Sequence, residues 1–212
     1  MGGFPFLQKS GVIIIEKLVK GGLGKMKSII YLFILLGLGI TGYAGYQILY
    51  SNIKAEQSLK EAEEVLVKPQ GQVDETTFEP GKGEVVGLLS LPKIESELAI
   101  VEGTDPDELA KGVGHYKGSF YPKQGGQIVL SGHRDTVFKR VGELEMGDEL
   151  IMKMPYGEAM YEIVNTKIVD ADDTSIITLQ NEEEELILTT CYPFGFIGDA
   201  PERYIIYAKI KK

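Results

Sequence analysis

Between Ser28 and Tyr50 the chain runs 23 residues without a charge and is rich in Ile, Leu, Phe and Tyr. As a helix rising about 1.5 Å per residue, that stretch crosses a hydrocarbon core of roughly 30 Å, and it is longer than the roughly 7–15-residue apolar core of a cleaved signal peptide. The composition then changes to helix formers over Ser51–Leu66, where Ile53, Leu59, Ala62 and Leu66 recur at roughly helical spacing, so the membrane helix is expected to continue outward. Pro69, Gly71, Pro80, Gly81 and Gly83 break that pattern across Val67–Gly83. This is a linker, spanning about 20–25 Å as a flexible coil, and the domain beyond it is expected to be tethered loosely beside the membrane.

From residue 84 to 212 the pattern is mostly that of short strands. Apolar runs at Val85–Leu91, Leu98–Val101, Ile128–Leu130, Glu149–Met154, Met160–Val169, Glu185–Thr190 and Arg203–Ile210 are separated by turn residues such as Pro155-Tyr156-Gly157. Two helical pieces are expected, Asp107–Gly112 and Thr136–Leu144, the second from Val137, Val141 and Leu144 at i, i+4 and i+7. Seven or eight short strands predict an all-β closed barrel or a sandwich, and the barrel is the reading favoured here. Such a domain is long enough to bury its own core.

Charge sets the orientation. Residues 1–27 carry five lysines against Glu16, which places the N-terminus in the cytoplasm by the positive-inside rule and everything after Tyr50 outside. Residues 1–25 admit a further reading. Lys20-Gly21-Gly22 is what a purine-rich ribosome-binding site would encode a few codons ahead of Met26, so the start at Met1 is a candidate gene-start error, with a short cytoplasmic tail as the alternative. Residues 51–212 carry 17 basic and 30 acidic side chains, a net charge of minus thirteen, which excludes a nucleic-acid surface.

The only cysteine, Cys191, closes the apolar run Leu186-Ile187-Leu188-Thr189-Thr190-Cys191. A lone thiol on the outer side of a membrane is either inert packing or a reactive nucleophile. His133, one of two histidines, also closes an apolar strand, within Leu130-Ser131-Gly132-His133-Arg134-Asp135-Thr136. Two such strands can bring thiol and imidazole to one end of a barrel. An ordinary thiol is only a few percent ionised at neutral pH, so cysteine chemistry needs such a partner. Arg203, one of three arginines in the domain, opens the last strand, where a permanent cation can stabilise a developing oxyanion. A structural histidine and a surface arginine are the plainer readings. Cys191, His133 and Arg203 together read as an acyl-transfer constellation.

Three pieces carry a resemblance to a known family: Gly112-Val113-Gly114-His115-Tyr116, Ser131-Gly132-His133-Arg134-Asp135, and Leu188-Thr189-Thr190-Cys191 with Arg203 twelve residues on. The chain resembles the sortases, membrane-anchored cysteine transpeptidases of mainly Gram-positive bacteria. Ile187 stands where the family motif usually has threonine. Thr190-Cys191-Tyr192-Pro193-Phe194, followed by Ile197 to Tyr204, is most similar to class D. Pilus-building members usually carry an Asp-Pro-aromatic lid, whereas here Asp105-Pro106 is followed by Asp107.

The resemblance implies an eight-stranded sortase barrel and a two-step reaction. Cys191 attacks the Thr–Gly bond of a Leu-Pro-x-Thr-Gly-like signal on a secreted protein, and an amine of a peptidoglycan precursor then takes the acyl chain. His133 is the implied acid and base, and Arg203 the oxyanion or positioning group. Thr190, His115 and Tyr192 are implied to bind substrate or support the site. No cofactor is expected. Some members use calcium, but the run Glu182–Glu185 reads as a solvated face and no Asp-x-Asp-x-Asp-Gly loop occurs; nor do close zinc-ligand pairs. The alternatives are a membrane-tethered cysteine endopeptidase using the same residues and a non-catalytic extracellular binding barrel.

Overall fold

The computed structural model describes residues 8–67, 74–196 and 198–211, with side chains from Lys27 onward. Residues 1–7 of the tail and 68–73 of the linker lie outside them. The chain divides into two compact units, residues 1–50 and 51–212. In the first, the helix α1 (Gln8–Val67) carries apolar side chains that nothing covers, from Ile29 through Tyr50. It holds the one candidate membrane span among the described residues, Lys27–Val67 by length and composition.

The second unit is a closed barrel of eight strands: β1 (Val85–Leu91), β2 (Ser96–Glu102), β3 (Val113–His115), β4 (Gln127–Ser131), β5 (Glu149–Met154), β6 (Gly157–Asp170), β7 (Glu185–Tyr192) and β8 (Glu202–Ile210). Their order around the barrel is β1-β2-β3-β4-β7-β8-β6-β5. Alternation along the strands fills the interior, with Leu130, Leu186, Leu188, Ile206 and Ala208 inward among Leu89, Ile100, Leu150 and Tyr161. Two pairings are parallel, β2 with β3 and β4 with β7. The second matters most, because parallel neighbours end on the same side. Ser131 lies opposite Thr189, so the residues that follow these two along the chain emerge on the same side.

Two apolar clusters lie outside the barrel interior. Val129, Ile187, Ile205, Val169 and Ile176 form one of them, with Tyr116 and Tyr207 packed against it. Ile187 is fully buried there, which accounts for an isoleucine at the position where the motif usually has threonine. The other cluster sets Ala62 of α1 against Val85, Leu88, Ala99 and Val101, with Leu59 and Leu66 beside it.

Three expectations differ from this architecture. The juxtamembrane segment is helical as its composition requires, yet it packs on the barrel instead of standing off it. The stripe Leu59-Ala62-Leu66 needs an apolar partner, and β1 and β2 supply one. The end of the linker is fastened too: Phe78 packs edge-on against Tyr121 and Tyr156, and Gln124 Nε2 donates to the Glu75 carbonyl. Thr136–Leu144 is a series of turns ending in a 3-10 turn at Val141–Glu143. Phe138, Val141 and Leu144 are its buried side chains, a spacing of three instead of the 3.6 of an α-helix. Finally, β3 has only three residues and a central glycine, so it shows no alternation. A Cβ on Gly114 would lie 2.4 Å from the Gly103 carbonyl oxygen, and that close approach is why glycine stands there.

Candidate active site

Strand parity decides which side chains meet. On β7, Leu186, Leu188 and Thr190 share one parity and Ile187, Thr189 and Cys191 the other, so Thr190 turns inward and Cys191 outward. Buried Thr190 donates its hydroxyl to the Gly132 carbonyl at 2.7 Å, and the Gly132 amide donates to the Thr189 carbonyl at 3.1 Å. These two bonds fasten the residue before His133 to the residues before Cys191. A Cβ at Gly132 would lie 2.5 Å from the fully buried Phe138 ring, so glycine is what lets Phe138 pack beneath the turn that carries His133.

In the antiparallel β7–β8 pair Cys191 lies directly opposite Arg203. Opposed residues point to the same face with Cβ atoms about 4.5–5.5 Å apart. His133, Cys191 and Arg203 line one open cavity of about 300 Å³, together with Arg134, Asp135, Gly198, Asp199 and Ala200. Arg203 Nη1 donates to the carbonyls of Ala200 at 3.2 Å and Glu202 at 2.9 Å. This fixes the guanidinium while its Nη2 and Nε take no hydrogen bond among the described residues. His133 is exposed, and its ring likewise takes none.

The other residues singled out by sequence lie elsewhere. Tyr192 packs its ring against Phe194 and Tyr204 at the mouth of the barrel and does not line the cavity. His115 is buried at the edge of a separate cavity of about 780 Å³ between the 76–80 segment and the β3–β4 connection. Its Nδ1 lies 2.6 Å from Glu102 Oε2, and its Nε2 lies 3.0 Å from the Phe120 carbonyl and 2.9 Å from Ser119 Oγ. Tyr121 donates to the same Glu102 oxygen at 2.6 Å and stacks on the imidazole. Burial opposes the Glu102 charge, but the hydrogen bonds from His115 and Tyr121 outweigh it and hold the carboxyl below its ordinary value. Burial, then the bond to Glu102, pushes the Tyr121 phenol far up.

Three of the four carboxylates of the acidic run Glu182–Glu185 meet protein partners: Glu183 meets Lys209, Glu184 accepts from Tyr161 and the Lys123 amide, and Glu185 accepts from Gln127. Among the described residues no three His, Cys, Asp or Glu side chains converge as metal ligands would.

Comparison with known proteins decides what this barrel is. The family model described as the sortase domain matches residues 89–211. The chain belongs to the sortase family. It is 60% identical to Sortase D of Bacillus subtilis (strain 168) over 195 residues, covering 87% of this chain and 98% of that protein. Among solved structures, a Clostridium perfringens Sortase D5 transpeptidase shares 25% identity at a TM-score of 0.66, covering 75% of this chain and 99% of that one. The catalytic domain of Bacillus anthracis SrtD shares 43% identity at a TM-score of 0.54, covering 67% of this chain and 97% of that one. This sortase is thus a cysteine transpeptidase, most similar to class D. Sortases act on proteins that carry a sorting signal and join them to the cell wall, and the apolar N-terminal helix suits a membrane-anchored member.

Arg134, Gly198, Asp199 and Ala200 line the cavity without a role assigned from sequence. Arg134 follows His133 directly, and only its place in the Ser-Gly-His-Arg-Asp motif marks it in the chain.

Proposed function

We propose that Cys191 is the nucleophile, His133 the proton carrier and Arg203 the oxyanion donor of this transpeptidase. The observation that carries this reading is that the chain's single cysteine shares a cavity with His133 and with the arginine opposite it across a strand pair.

The Cys191 sulfur attacks the threonine carbonyl of a Leu-Pro-x-Thr-Gly-like signal, and the carbonyl oxygen gains negative charge. Arg203 has three N–H groups on Nη2 and Nε for that oxygen, because the backbone bonds engage Nη1 alone. His133 gives a proton to the departing glycine nitrogen as the C–N bond breaks, leaving a thioester on Cys191 and a neutral imidazole. An incoming primary amine then attacks the thioester and yields its proton to His133. The new amide forms, the C–S bond breaks, and the thiolate is restored. His133 suits both proton transfers, since its exposed ring is not committed to a described protein partner. The acceptor is an amine of a peptidoglycan precursor. The five lysines before Ser28 set the N-terminus in the cytoplasm, with the barrel on the outer face of the membrane.

The test uses the full-length protein in detergent, a library of Leu-Pro-x-Thr-x peptides and candidate amines, with products identified by mass. A ligated peptide, and a thioester adduct on the Cys191 peptide released by hydroxylamine, are expected. Cys191→Ala abolishes both. Product formation by that variant would remove Cys191 from the mechanism.

A further inference from the structure

The Arg134 side chain makes a set of contacts unlike any other arginine in the protein. Its Nη2 donates to two backbone carbonyls of the β7–β8 connection, Phe196 and Gly198, each at 2.8 Å. Its guanidinium lies 5.8 Å from the centre of the Phe196 ring. Its Nη1 is buried and has no hydrogen-bond partner among the described residues. All of this happens at the cavity that holds Cys191: Arg134 lines it, and the same connection supplies Gly198, Asp199 and Ala200 to its wall.

A guanidinium placed for general stability would be expected to satisfy its N–H groups or keep them in water, since a buried unpaired donor is costly. Here the planar group is oriented so that one nitrogen, Nη2, grips two carbonyls of a connection that turns through Gly195 and Gly198, both at positive φ. Glycine at both positions leaves the backbone weakly self-determined, so an external clamp has something to fix. Among the described residues, the other cavity arginine, Arg203, holds only the part of the connection adjoining β8, through Ala200 and Glu202.

We propose that Arg134 is a positioning residue for peptide binding. It ties the segment that carries His133 to the β7–β8 connection, so that the far wall of the Cys191 cavity stands at a fixed distance from the imidazole. It acts through that wall and does not touch the reacting atoms. This deepens the reading of the site given above and rests on it for the identity of the peptide.

The expected signature is a split between binding and turnover. Loss of the two charge-assisted bonds leaves the wall unheld, so Arg134→Ala raises KM for a Leu-Pro-x-Thr-x peptide about tenfold while kcat changes less than about threefold. Arg134→Lys recovers part of the KM loss, because an ammonium can reach both carbonyls but cannot lie flat against Phe196. Phe196→Ala raises KM in the same direction, and the double variant is less than additive.

The experiment measures these constants on the full-length protein in detergent. In parallel it measures alkylation of Cys191 by a small haloacetamide and by a bulky maleimide. With the clamp released, the bulky reagent gains rate relative to the small one, a readout of the wall that stands whether or not Cys191 is the nucleophile. A fall in kcat at unchanged KM would place Arg134 in the chemistry and overturn the proposal. Unchanged KM with an unchanged ratio of alkylation rates would overturn it as well, whatever happened to the melting temperature. Failure of the Cys191→Ala control, with the alkylation ratio still shifted, would instead overturn the mechanism and leave the clamp standing.

Discussion

Arg203 is held by two of its N–H groups and offers the remaining three to the cavity, so its planar fork is committed before any substrate arrives. Arg203→Lys supplies charge without the fork and is expected to lower kcat by about 100-fold or more, read by steady-state ligation, with the melting temperature little changed. Glu102 is a different kind of residue, buried and paired away from the cysteine. Its lowered folded-state value means that it contributes stability above the ordinary value of 4.5, and that this contribution is lost as pH falls through the lower folded-state value. Glu102→Gln is expected to cost about 3 kcal/mol near neutral pH by leaving His115 without its anion. Urea titrations between pH 7 and pH 3 should show the gap to the parent protein closing in acid. A gap independent of pH would mean the pair contributes only shape.

At the scale of elements, the membrane-proximal end of the folded unit is a helix docked on β1 and β2. Ala62 is fully buried at that contact, where a larger or charged side chain has no room. Ala62→Asp is expected to destabilise the barrel by about 2–4 kcal/mol, measured as a lowered denaturation midpoint, and a version of the chain starting after Val67 should lose stability in the same direction. Most strands were legible from alternation and turn residues: β1 and β5 match the sequence-based bounds, and β6, β7 and β8 extend them by one to three residues. β3 was not legible, because its partner β2 is joined in parallel across the α2 turn (Pro106–Leu109) and three residues carry no period. The 136–144 segment imitated a helix because its buried positions are set by packing under Gly132 and against the core, which a periodicity count takes for helical turns.

For the whole molecule, the arrangement of charge is the relevant feature: a lysine-bearing start, an uncharged span and a strongly acidic remainder. The proposed orientation predicts that protease added outside intact protoplasts degrades the barrel and spares a tag at the N-terminus; protection of the barrel with loss of the tag would reverse it. The net charge of minus thirteen on residues 51–212 works against binding of phosphate backbones.

By itself the sequence determined the strand-rich domain and marked a candidate span and the candidate residues Cys191, His133 and Arg203, because each of these follows from local pattern or from a residue type too scarce to overlook. Only the tertiary structure decided how they meet. The parallel β4–β7 pairing ends His133 and Cys191 on one side, and the antiparallel β7–β8 register sets Arg203 against the thiol. Pairing is a property of distant segments, invisible to any window along the chain. The same holds for Arg134 and for the docked helix: a charged residue beside a histidine and an alanine in a polar stretch acquire their roles from carbonyls and side chains tens of residues away.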